Sequence, residues 1–237
     1  MIEIVSDNIE KDNIEKDKIL NVFIDKSIVT VLDLSYTQIC GILDISMYIN
    51  VKELRCKATF ITEIINLPSS LEYLDCSFNN IKSLDNLPSN LKWFGCNYNN
   101  IASLDNLPSN LEILNCYSNK ILFLDNLPST LKILNCENNL LTLLNNLPLQ
   151  LKNLNCCNNF ITNLDNIPET IEILECSNNK LISLNNLPPN LKILFCSYNK
   201  IYSFDNLPDC LEILHYTKSN IELTDNLPKA LKIIKCM

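Results

Sequence analysis

Glycine is nearly absent. Only Gly41 and Gly95 occur in 237 residues, so no Gly-rich loop of the kind that cradles phosphate is available. Histidine occurs once, at His215. This excludes clustered His ligands and the familiar zinc motifs. It also leaves Ser-His-Asp chemistry with one candidate base and no nucleophile motif to serve it. Arginine is confined to Arg55, and the formal charge is −8. Sequence-independent contact with nucleic acid or an anionic membrane needs clustered Lys and Arg, so neither is an expected partner. No apolar run approaches the roughly 20 residues of a membrane helix. The opening stretch, MIEIVSDNIEKDN, lacks the positive flank and apolar core of a signal peptide. With no catalytic constellation, the expectation is a non-enzyme without cofactor or metal in the cytoplasm.

Repetition is what the chain has in abundance. Residues 111–130, LEILNCYSNKILFLDNLPST, recur every 20 residues with small edits, beginning at Leu71, Leu91, Leu131, Leu151, Ile171, Leu191 and Leu211. A fixed period of this length signals a solenoid. Leu114 and Cys116 are two apart and share one side of an extended segment. That segment cannot bury its apolar side alone. Stacked on the next copy, it becomes one strand of a long parallel sheet over a continuous core. Leu124, Leu127 and Pro128 show no helical spacing and suit an extended or polyproline-like return.

Two columns have structural reasons of their own. Asn79, Asn99, Asn119, Asn139, Asn159, Asn179 and Asn199 occupy one slot, where a side-chain amide can satisfy the buried backbone of its own turn and a neighbouring one. Asn158, just before that slot, is expected to be exposed. Nine of the twelve cysteines, from Cys56 to Cys236, share another slot. Adjacent strands lie about 4.8 Å apart, whereas bridged Cβ atoms lie about 3.8 Å apart. Buried, reduced thiols acting as small hydrophobes are therefore expected, in a reducing compartment. There is no C-x-x-C motif. Cys157 falls outside the column and is expected to point outward and react faster than the column thiols.

The pattern L-x-x-L-x-C-x-x-N-x-I-x-x-L resembles the leucine-rich repeat family over about residues 29–237. The short copies with Asn-Leu-Pro resemble the class in secreted effectors of enteric bacteria. The Cys- and Asn-rich flavour is similar to repeat proteins of giant DNA viruses of amoebae. The resemblance implies a right-handed superhelix with one long parallel sheet and extended return segments, a β-rich solenoid. The chain itself reads as ten repeats plus a truncated eleventh over 29–237, and residues 1–28 are expected to be an N-terminal capping segment, since a terminal repeat needs a cover. Within that segment, residues 19–25 are expected to form a strand.

The expected function is protein binding through the strand face, with an unidentified partner; the resemblance implies a host protein as its class, and the host cytoplasm as the location if the source is viral. The alternative is a structural component that self-associates through its isoleucine column or open C-terminal edge; self-association is possible but not predicted. Tyr73, Phe78, Trp93, Tyr98 and Tyr117 fall on three successive copies, and Trp and Tyr are enriched at interface hot spots. Gly95 is expected to leave a gap beside the Trp93 indole for a partner side chain. Phe195, Tyr198 and His215 form a secondary candidate patch. The second position of each copy nearly alternates Lys and Glu, as a solvated ladder would. Asp85, Asp105, Asp125, Asp165, Asp205 and Asp225 suit local turns more than a calcium cage.

Overall fold

The computed structural model describes residues 2–4, 25–217 and 227–236. The strand expected at 19–25 falls almost wholly outside them, as does Asp225. Twelve strands form a single parallel sheet, running from Ile2–Ile4 through Val29–Asp33 and Glu53–Arg55 to Ile213–Tyr216 and Ile233–Cys236. The pairing is in register with the repeat. Ile113 lies beside Ile133, Leu134 beside Leu154, and Glu175 beside Phe195. In the longer first copy, Val31 pairs with Glu53, so its two extra residues lie outside the strand.

Most copies contribute Leu, Leu, Cys and a further Leu or Ile to the core, most of them fully buried, and the first contributes Val29, Leu32, Leu34 and Ile39 instead. Phe94 takes a leucine slot and is also fully buried. Where Cys gives way to Tyr216, the ring stays buried and meets Phe204 edge-on at 5.1 Å. Helix is almost absent: one short 3-10 turn, Lys26–Ile28, is seen among the described residues. The returns use turns instead. Leu111 N donates to Pro108 O at 3.1 Å, and the same bond recurs from copy to copy. Two early returns pair as strands, Cys40–Asp44 with Phe60–Ile65, which the repeat pattern does not announce.

The asparagine column works as its chemistry suggests. Asn139 Nδ2 lies 3.1 Å from both Cys116 O and Cys136 O, and its Oδ1 accepts Ile121 N at 3.0 Å. One side chain thus ties two successive turns. Thr59 replaces Asn in the second copy and keeps part of this role through Cys56 O and Asn79 Oδ1.

Scarcity of glycine does not spare the chain left-handed backbone. The residue before each ladder position adopts φ between 50° and 58° at Phe78, Tyr98, Ser118, Asn138, Asn158, Asn178 and Tyr198. Asn tolerates this region because its short polar side chain bonds locally; other L-residues are penalised by about 1–2 kcal/mol. Asn66, Asn86, Asn146 and Asn186 serve a second left-handed slot on the returns.

Candidate functional site

Parallel pairing brings Tyr73 beside Trp93. Their rings stack at 4.1 Å and 8°, both half-buried. On the left-handed turns, Phe78 and Tyr98 stack at 4.3 Å, and Tyr98 meets Tyr117 edge-on at 5.2 Å. Phe78 and Tyr98 are 40% and 46% exposed. Burial raises the Tyr73 and Tyr117 phenols above their ordinary value, which keeps both rings neutral. The sequence does not reveal the cations at this end. Lys57 Nζ lies 5.1 Å from the Phe78 ring centre, and Arg55 lies 5.8 Å from that of Tyr73. Arg55 also pairs with Glu53 and Asp33, so its charge is largely answered. The signal for Lys57 is its slot, next to the left-handed position of its own turn.

Three expectations are corrected. Gly95 leaves no gap: the Trp93 indole folds over it, so an added Cβ would come within 2.8 Å of the ring edge. The small residue seats the indole rather than admitting a partner. Cys157 is buried, and burial, then Glu175 and Glu137, push its thiol up to about 11 against the effect of Ser177. Asn158 is only half-exposed; its Nδ2 donates to Glu137 Oε1 at 2.9 Å and its Oδ1 accepts from Asn178 at 2.5 Å. Side chains from adjacent copies cover both positions, which alternation within one strand does not register.

The other candidates are dispersed. Phe195 and His215 rings lie 4.4 Å apart, while Tyr198 is 61% exposed on its turn. The isoleucine column is half-buried and interrupted by Asn153; only Ile233, near its end, is well exposed. Glu72–Lys92, Glu112–Lys132, Glu172–Lys192 and Glu212–Lys232 each close at 2.7 Å. Hydrogen bonds from those lysines hold the glutamates below their ordinary value. Lys132 and Lys152 meet without an acid between them, and Lys152 turns to Glu172 at 3.5 Å. Among the described residues, no group of three or more His, Cys, Asp or Glu is placed to hold a metal ion. No helix there is long and apolar enough to cross a membrane.

Repeat, parallel sheet and asparagine-tied turns define a leucine-rich repeat solenoid. The chain is a leucine-rich repeat protein with copies of about 20 residues. No family profile matches its sequence, and no curated protein does. Solved structures do. YopM of Yersinia enterocolitica is similar, at 33% identity and a TM-score of 0.81, over 86% of this chain and 45% of that one. The functional domain of InlJ from Listeria monocytogenes, which includes a cysteine ladder, is 28% identical at a TM-score of 0.71, over 87% and 47%. A Shigella effector leucine-rich repeat domain is 27% identical at 0.60, over 70% and 82%. The chain thus spans under half the length of the first two. The likeness to leucine-rich repeat proteins, bacterial effectors among them, fits a protein-interaction module.

Proposed function

We propose that this chain binds a protein partner through the strand face and its adjoining turns, and that Tyr73, Phe78, Trp93, Tyr98 and Tyr117 are the energetic centre. The observation that carries this reading is the backbone at Phe78 and Tyr98. Both are exposed aromatics in left-handed backbone, where sister copies place Asn138, Asn158 and Asn178. A conformational cost borne by an exposed ring, at a slot where a cheaper residue serves elsewhere, is the signature of a contact surface. Tyr73 and Trp93 supply a rigid, half-buried floor beside it. The effector likeness supports a host protein as the class of partner. Phe195, Tyr198 and His215 remain a secondary patch under the same proposal. So do the capping role of residues 1–28 and a cytoplasmic location, which the free buried thiols support.

The double substitution Phe78→Asn with Tyr98→Asn tests this directly. Relief of the left-handed backbone offsets the lost ring stacking, so the denaturation midpoint stays close to that of the parent. Affinity for co-purified protein falls by about 2 kcal/mol or more if the rings are a hot spot. Undiminished recovery by the folded variant would remove the site from this face.

A further inference from the structure

A second apolar surface lies beyond the asparagine turns. In copy 111–130 the chain there reads Lys120-Ile121-Leu122-Phe123-Leu124-Asp125. Ile121 and Leu124 are buried, while Leu122 and Phe123 are 47% and 63% exposed. The following copies stack on this segment: Leu140 N donates to Ile121 O at 2.9 Å and Phe160 N to Leu141 O at 2.8 Å. Leu140, Leu143 and Phe160 are 40%, 46% and 42% exposed. Large apolar side chains from three consecutive copies therefore share one face. The matching slots of copy 71–90 hold Asn80, Lys82 and Ser83, and those of copy 91–110 hold Asn100, Ala102 and Ser103. The repeat does not require apolar residues in these slots, and a contiguous exposed group of them marks an interaction surface.

Charge around the patch is sorted by side. Exposed Lys120, Lys180 and Lys200 continue the column of Leu140 and Phe160 next to the asparagine turns, with Lys180 Nζ 4.7 Å from the Phe160 ring centre, and exposed Asp125, Asp165 and Asp205 border the patch on the far edge. We propose that this surface pairs with the same surface of a second copy, about a two-fold axis parallel to the solenoid. That axis lays the lysine edge of one copy over the aspartate edge of the other and joins Leu122, Phe123 and Leu143 between them. A two-fold across the solenoid would set lysine on lysine. The pairing leaves both strand faces free and does not rest on the aromatic site.

Sedimentation equilibrium of the full chain at rising concentration tests it. The expected result is a monomer–dimer equilibrium, with the dissociation constant raised about tenfold or more by Phe123→Ser with Leu143→Ser. Lys120→Asp and Asp125→Lys each weaken the dimer. Combined in one chain they restore it, because both members of each cross-pair are inverted. Circular dichroism confirms that the variants are folded; Leu122→Ser replaces the apolar pair if that variant is not. A parent chain monomeric throughout overturns the proposal and assigns the patch to a different protein. A dimer indifferent to the apolar substitutions, or a double charge swap no better than the singles, overturns it as well.

Discussion

Cys156 and Cys157 are neighbours, and strand alternation would send them to opposite environments. Both are buried. Cys156 lies in the core column, and Cys157 lies among Glu137, Asn158, Glu175 and Ser177, contributed by three copies. Thiolate is the reactive form, and burial makes it scarce at either position. Cys40 is exposed and Cys210 is half-exposed. Peptide-mapped alkylation of the native protein should therefore label Cys40 first and Cys210 next, with Cys157 far slower and the column slowest. Labelling of Cys157 at the rate of Cys40 would contradict the packing around it. Gly95 shows the same effect in reverse: only the indole above it explains why a side chain is missing there.

The strand-and-turn is the element that repeats, and its asparagine holds it closed. In Asn139→Ala, Ile121 N loses its acceptor, and the carbonyls of Cys116 and Cys136 lose an amide donor. Unmet buried backbone groups cost about 1–3 kcal/mol. Asn158→Gly keeps the left-handed backbone and gives up side-chain bonds at a half-exposed site, so it should cost less. Denaturant midpoints separate the two variants, and equal midpoints would mean that the buried ladder contributes no more than the turn before it. The role of this asparagine was legible from its donors, acceptor and spacing. The left-handed slot before it was not, because Phe78, Tyr98 and Tyr198 carry none of the glycine that usually announces such backbone.

A solenoid's stability is approximately a sum over copies and their interfaces. Strands here pair at the repeat spacing, so removing one whole period returns every side chain to an equivalent slot. Deletion of 141–160 joins Leu140 to Ile161 and should leave a cooperative, somewhat less stable solenoid. Deletion of 141–150 removes half a period and breaks the stacking of strands, turns and returns. Thermal unfolding followed by circular dichroism should show a clear transition for the first variant and its loss for the second. Comparable transitions would show that register is not what holds the copies together.

The sequence alone determined the parallel sheet, the buried cysteine column, the asparagine-tied turns and the charged ladder. Each follows from one slot repeated at a constant spacing, and stacking makes every copy the environment of the next. Tertiary structure decided the departures from the repeat: the indole over Gly95, the cover over Cys157, and the return strands Cys40–Asp44 and Phe60–Ile65. It also brought Lys57 to Phe78 and sorted charge around Phe123 and Leu143. The physical reason is that exposure at an edited position depends on which side chains the flanking copies project over it. Those neighbours sit a full repeat away in the chain, beyond the reach of any local pattern.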